Sequence, residues 1–168
     1  SLTRPYGPIR RFSDTGFGVR GRDIVISNET GLPTSVTSNA RNVIAGEVDF
    51  TTRDDSGQVI EFHTETSRFV VYDSNVTWMV RARSVEDGAI VRTTRGTLSY
   101  DGHMDIAIEL ELSATGSVTL DGAALSIEIP DDVARFANGG GFADNGDWFP
   151  SESPSRLNWS WRDFGRTV

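Results

Sequence analysis

From Met104 to Leu112, apolar and polar positions alternate without a break. Met104, Ile106, Ile108, Leu110 and Leu112 fall on every second residue, and Asp105, Ala107, Glu109 and Glu111 fill the places between. Successive side chains of an extended chain point to opposite faces, so this spacing predicts a half-buried strand. A slip of one residue would turn Asp105, Glu109 and Glu111 into the core, which pins the register. Full burial of the five apolar side chains would contribute roughly 1.5–3 kcal/mol each. Asp101-Gly102, between Tyr100 and His103, supplies the positive φ of a tight hairpin turn into this strand. Residues 97–112 are therefore expected to be the hairpin around which the chain is organised.

Shorter alternating runs precede it. Phe17 and Val19, then Ile24 and Ile26, are interrupted at Gly21, which predicts a first strand with a bulge or a tight connection. Asn28-Glu29-Thr30-Gly31-Leu32-Pro33 reads as a turn, with short edge segments at 36–38 and 43–45. Residues 47–53 read as a strand, Asp54-Asp55-Ser56-Gly57 as a turn and 58–63 as its antiparallel return. Strands at 68–72 and 75–83 follow, the second placing Trp78, Val80 and Ala82 on one face and Met79, Arg81 and Arg83 on the other. Glu86-Asp87-Gly88 turns into a further strand at 89–94. Beyond the organising hairpin, Val118 and Leu120, then Leu125, Ile127 and Ile129, alternate again. Only residues 130–137 look helical, with Asp131 and Asp132 near the start and Val133 and Phe136 three apart. The fold class expected is all-β: an antiparallel β-sandwich of about ten strands with one short helix and an irregular aromatic C-terminal tail.

A chain of 168 residues can bury about 70% of the surface its unfolded form exposes, so it needs no disulfide. It has no cysteine to form one. The organisation expected is an extended arm at 1–15, a sandwich domain at 16–140 and a Gly/Trp-rich tail at 141–168, packing on the sandwich or on a partner domain. Net charge is −8 and all 16 basic residues are arginine, which argues against nucleic acid as a partner. The sequence contains no apolar run of the roughly 18 residues that a membrane-spanning helix takes.

Catalytic chemistry is hard to assemble. There is no cysteine nucleophile, no G-x-S-x-G elbow and no H-E-x-x-H, and His63 and His103 read as structural. Glu109 and Glu111 project from one strand face with Cα atoms about 6.5–7 Å apart. Glycoside hydrolysis uses carboxylates at such distances, but nothing nearby suggests a cleft, and a solvated outer face accounts for them. Asp144, Asn145 and Asp147 around Gly146 offer oxygens to Ca²⁺, although their spacing completes no loop motif and a plain turn explains it. No other cofactor is expected. The aromatic tail says more. Trp159-Ser160-Trp161 would place two indoles on one side of an extended segment, with Trp148 and Phe149 able to join them. Three readings stand for these four aromatic residues: a platform for sugar rings, a cap on the core, or an interface with another domain.

Four stretches together carry a resemblance: GFGVRGRDIVI from Gly16, GLPTSVTSNARNVIAG from Gly31, TRGTLSYDGHMDIAIELEL from Thr94 and LSIEIPDDVARFANG from Leu125. Over about residues 16–140 this order of strands and turns resembles the N-terminal β-sandwich domain of large glycoside hydrolases related to the β-N-acetylgalactosaminidases. The resemblance implies a separate catalytic (β/α)₈ barrel, where an adjacent Asp-Glu pair assists the substrate's own acetamido group. No Asp-Glu dipeptide occurs in this chain, and a barrel alone takes about 250 residues. The expectation is a non-catalytic module that packs against such a barrel or extends its sugar site, with a glycan or the barrel as partner. Two alternatives remain beside it. One is a self-standing carbohydrate-binding or surface protein using Trp148, Trp159 and Trp161; the other is an assembly protein that pairs through its edge strands and polar arm.

Overall fold

A computed structural model describes residues 7–86, 88–112, 119–130 and 132–133. Eleven strands run through them: β1 (Arg10–Arg11), β2 (Gly16–Val19), β3 (Arg22–Ile26), β4 (Pro33–Ser38), β5 (Arg41–Asn42), β6 (Asp49–Asp54), β7 (Phe62–Val71), β8 (Asn75–Ser84), β9 (Ile90–Ser99), β10 (Met104–Leu112) and β11 (Leu120–Ser126). All pair antiparallel, in a five-stranded sheet β1-β2-β3-β4-β5, a four-stranded sheet β10-β9-β8-β7 and a two-stranded ribbon β11-β6. The strands lie in one compact unit, residues 1–130. The architecture is sandwich-like, as the alternation predicts. The short helix expected at 130–137 is not seen: Asp132 and Val133 stand in a turn, and residues 131 and 134–137 lie outside the described residues.

The turns follow from local chemistry. Arg20 and Gly21, at φ 48° and 74°, make the two-residue connection between β2 and β3, so the tight connection rather than the bulge is what interrupts that run. Asn39 and Ala40, at 50° and 62°, do the same between β4 and β5. Two successive positive φ values match the right-handed twist of the flanking strands. The organising hairpin closes differently. Only Gly102 has positive φ there, at 88°, and the loop Tyr100-Asp101-Gly102 is held by Ser99 N–H donating to the His103 carbonyl at 2.9 Å and His103 N–H donating to the Asp101 carboxylate at 3.0 Å.

Ile9, just before β1, and Phe17, Val19, Ile24 and Ile26 of the five-stranded sheet form a core that the four-stranded sheet completes with Val76, Trp78 and Leu98. Val36, Phe69, Val71, Met104 and Ile106 pack around it. Phe69 lies between the Phe17 and Trp78 rings, with centroids 6.1 Å and 6.3 Å away. The first sheet serves only one end of the longer strands, so β10 is not buried along its length. Met104 and Ile106 join the core, whereas Leu112 is 54% exposed. The five-residue burial expected of this strand is thus realised at one end.

One expected hairpin forms but is shorter than its pattern predicts. Around the 54–57 turn Asp54 N–H donates to the Gln58 carbonyl at 3.0 Å, Ile60 N–H donates to the Thr52 carbonyl at 2.9 Å, and Arg53 bridges Val59. The segment beyond Ile60 leaves β6. It continues as β7, pairs with β8 from Phe62↔Ser84 to Val71↔Val76, and buries Phe69 and Val71 against the core. The longer β8 satisfies more backbone groups than β6 could, and it places both apolar side chains on the covered face. β6 also takes β11, from Leu120↔Asp54 to Ser126↔Asp49.

Candidate functional site

The outward face of the four-stranded sheet carries most of the polar chemistry. Register places Arg68, Met79, Arg95 and Ala107 in one row and Thr66, Arg81, Thr93 and Glu109 in the next. A bulge between Thr64 and Thr66 makes Glu65 an extra residue. Its carboxylate reaches Arg83 Nε at 2.5 Å and Arg81 Nε at 3.2 Å. The hydrogen bond from Arg83, aided by the positive charge of both arginines, holds the Glu65 carboxyl below the usual range. Glu109 pairs with Arg95 across the β9–β10 ladder, and His103 Nε2 lies 3.1 Å from Asp105. Thr93 and Val91 are buried even on this outward face, because Arg81 and Arg83 flank them from β8 and Glu109 and Glu111 from β10. The result is a face that is basic over β8 and β9 and acidic along β10. The glutamate pair stands on it as the solvated face expected.

None of these rows holds an aromatic side chain, since Phe69 and Trp78 are turned inward. Nor do the described residues include a group of three or more His, Asp or Glu that could hold a metal ion.

The second feature is apolar and lies on the ribbon. β11 pairs Leu120 with Asp54 but Gly122 with Arg53, so a bulge at Asp121 shifts its phase by one residue. Cross-strand partners share a face. Leu120, Ala123 and Leu125 consequently lie on the side of Asp54, Thr52 and Phe50, and Ile127 and Ile129 follow just beyond the end of β11. Without the bulge, Leu120 would point the other way. Thr52 is buried with its hydroxyl unpartnered among the described residues. Leu125, Ile127 and Ile129 are 54%, 52% and 51% exposed. Leu120 also closes a recess of about 200 Å³ with Ile90, Leu110, Glu111 and Leu112. Beside it Arg92, buried and 4.7 Å from the centroid of the Phe62 ring, has its pKa drawn down by burial, against the opposing pull of Asp49. Acidic residues border the open row: Glu47, Asp49, Asp121 and Glu128 are all solvent-exposed.

Exposed rows of large aliphatic side chains are a feature that contact surfaces commonly share. The signal for this row was present in the sequence. Val118 and Leu120 occupy even positions and Leu125, Ile127 and Ile129 odd ones, a change of phase that one inserted residue explains. Trp148, Phe149, Trp159 and Trp161, and the candidate calcium ligands Asp144, Asn145 and Asp147, lie outside the described residues.

The family model described as glycoside hydrolase 123, third domain, matches residues 11–167. The chain belongs to that family. As a glycoside hydrolase 123 third domain it is an accessory module of a glycoside hydrolase, consistent with the resemblance carried by its strands and turns. The match takes in the aromatic tail as well as the sandwich. No curated protein matches the chain. No helix among the described residues of this third domain is long and apolar enough to cross a membrane.

Proposed function

We propose that this third domain is a non-catalytic module that packs against the catalytic barrel of its parent enzyme through the open apolar row of β11, and so holds the barrel in place beside a glycan substrate. The observation that carries this reading is the row itself. Leu120 and Leu125 are aligned by a bulge onto one side of β11, Ile127 and Ile129 follow just beyond it, and all four are exposed, while on the outward face of the four-stranded sheet Glu65 pairs with Arg81 and Arg83 and Glu109 with Arg95. Membership in a glycoside hydrolase family supports a catalytic domain as the partner.

The test is co-purification of the tagged third domain with the separately expressed catalytic domain. Wild type is expected to retain it, and Leu125→Asp with Ile127→Asp to release it while the melting temperature stays within a few degrees. Retention of the double variant at wild-type strength would reject the row as the contact. Aryl-glycoside turnover by the third domain alone, abolished by changing one of its carboxylates, would reject a non-catalytic role.

A further inference from the structure

The four-stranded sheet has two edges, and they are made differently. β7 is interrupted by the bulge at Glu65, a device that twists an edge out of reach of a new strand. β10 has no such protection. It runs from Met104 to Leu112 in unbroken register with β9 and contains no proline and no bulge. Among the described residues nothing pairs with its other side. Of the remaining edge strands, β1 and β5 are two residues long, β11 is bulged, and β6, six residues long, is already hydrogen-bonded to Gln58 and Ile60 as well as paired with β11. Within the described fold, β10 is therefore the long regular edge open to another strand.

Its side chains state what that strand must carry. On the inward side Ile106, Ile108 and Leu110 are only partly buried, so an added strand would continue the apolar layer past them. On the outward side Asp105, Glu109 and Glu111 are exposed, and only Glu109 has an arginine across the ladder. A second copy of β10 does not meet this need. Antiparallel pairing about Ile108 would set Asp105 opposite Glu111 of the other copy, and like charges directly opposite are destabilising.

We propose that β10 receives an added strand from another domain of the parent enzyme, one whose side chains alternate between apolar residues on the inward side and arginines on the outward side. This rests on the module reading for the source of the strand, but the edge can be tested without the enzyme. The probe is the capped heptapeptide Arg-Ile-Arg-Ile-Arg-Ile-Arg, compared with its glutamate counterpart Glu-Ile-Glu-Ile-Glu-Ile-Glu. Both are added to the intact 168-residue chain while amide hydrogen exchange is followed residue by residue.

In the free chain, every second amide of β10 should exchange quickly while those of β9 stay protected. The arginine peptide should slow those β10 amides about ten-fold or more and leave β7 unchanged. The glutamate peptide should not. Glu111→Arg, a change at an exposed side chain, should weaken the arginine peptide by about five-fold. Equal protection by both peptides, protection by neither, or β10 amides already protected to the level of β9 in the free chain would each overturn the proposal. Loss of barrel binding through the β11 row would leave this result unaffected, so the two readings fail separately.

Discussion

The indole N–H of Trp78 donates to the carbonyl of Gly31 at 2.8 Å, joining positions 47 residues apart. Gly31 sits at φ 75°, and a Cβ there would come within 2.9 Å of Thr94. The turn from Ser27 to Leu32, closed by Ser27 N–H donating to the Leu32 carbonyl at 2.8 Å, is thereby fastened to the inner face of the four-stranded sheet. Trp78 is able to lie there because its register partner is Gly96, where an added Cβ would stand 2.0 Å from the indole. The largest side chain and the smallest are matched across one ladder.

Trp78→Phe removes the donor and leaves a buried carbonyl without a partner, so unfolding in urea should show a loss of about 1–3 kcal/mol. Gly96→Ala should cost about 3 kcal/mol or more, because the ring has to leave its place. In a Trp78→Leu background the Gly96→Ala cost should shrink. A double-mutant cycle reads this coupling directly, and additive losses would contradict it.

Ala40 occupies the left-handed region, at φ 62°, in the second position of the β4–β5 turn. That conformation costs a residue with a Cβ about 1–2 kcal/mol, while glycine forfeits about 0.5–1 kcal/mol through its freer unfolded chain. Ala40→Gly should therefore raise stability by about 0.5–1 kcal/mol, creating the Asn-Gly pair that such turns favour. A lower denaturation midpoint for the variant would count against this assignment of the turn.

Glu65 has a folded pKa below its ordinary value of 4.5 because Arg83 donates to it and the charges of Arg83 and Arg81 favour the carboxylate. A depressed folded pKa means that the group's contribution is fully present above the unfolded value and is lost as pH falls through the folded one. Wild type should thus melt higher than Glu65→Gln at pH 7, and the gap should close as the solution is acidified below about pH 4. A gap that stays constant down to pH 2 would show that the ion pairs contribute nothing.

Leu125→Ser with Ile127→Ser acts on side chains that are already half-exposed. Stability should change by less than about 1 kcal/mol. Binding of a hydrophobic dye to the native state should fall markedly, since the row is the surface it would find. A large loss of stability would mean that these side chains are covered in the folded chain.

Alternation along the chain by itself determined the all-β class, the shared inward face of Trp78, Val80 and Ala82, the register of β10 and the phase change before Leu125. Each is a local consequence of a backbone whose side chains alternate every residue. Gly21 and Gly102 likewise announced tight turns, because positive φ is a property of single residues. Tertiary structure alone decided that β6 pairs along its length with β11 while the residues after Gly57 follow it only as far as Ile60, that the first sheet covers only one end of β10, and that Gly96 exists to receive Trp78. Periodicity says which residues share a face. Which strand lies alongside, and what covers that face, depends on partner length, strand order and the space left by distant side chains, and these exist only once the sheets have come together.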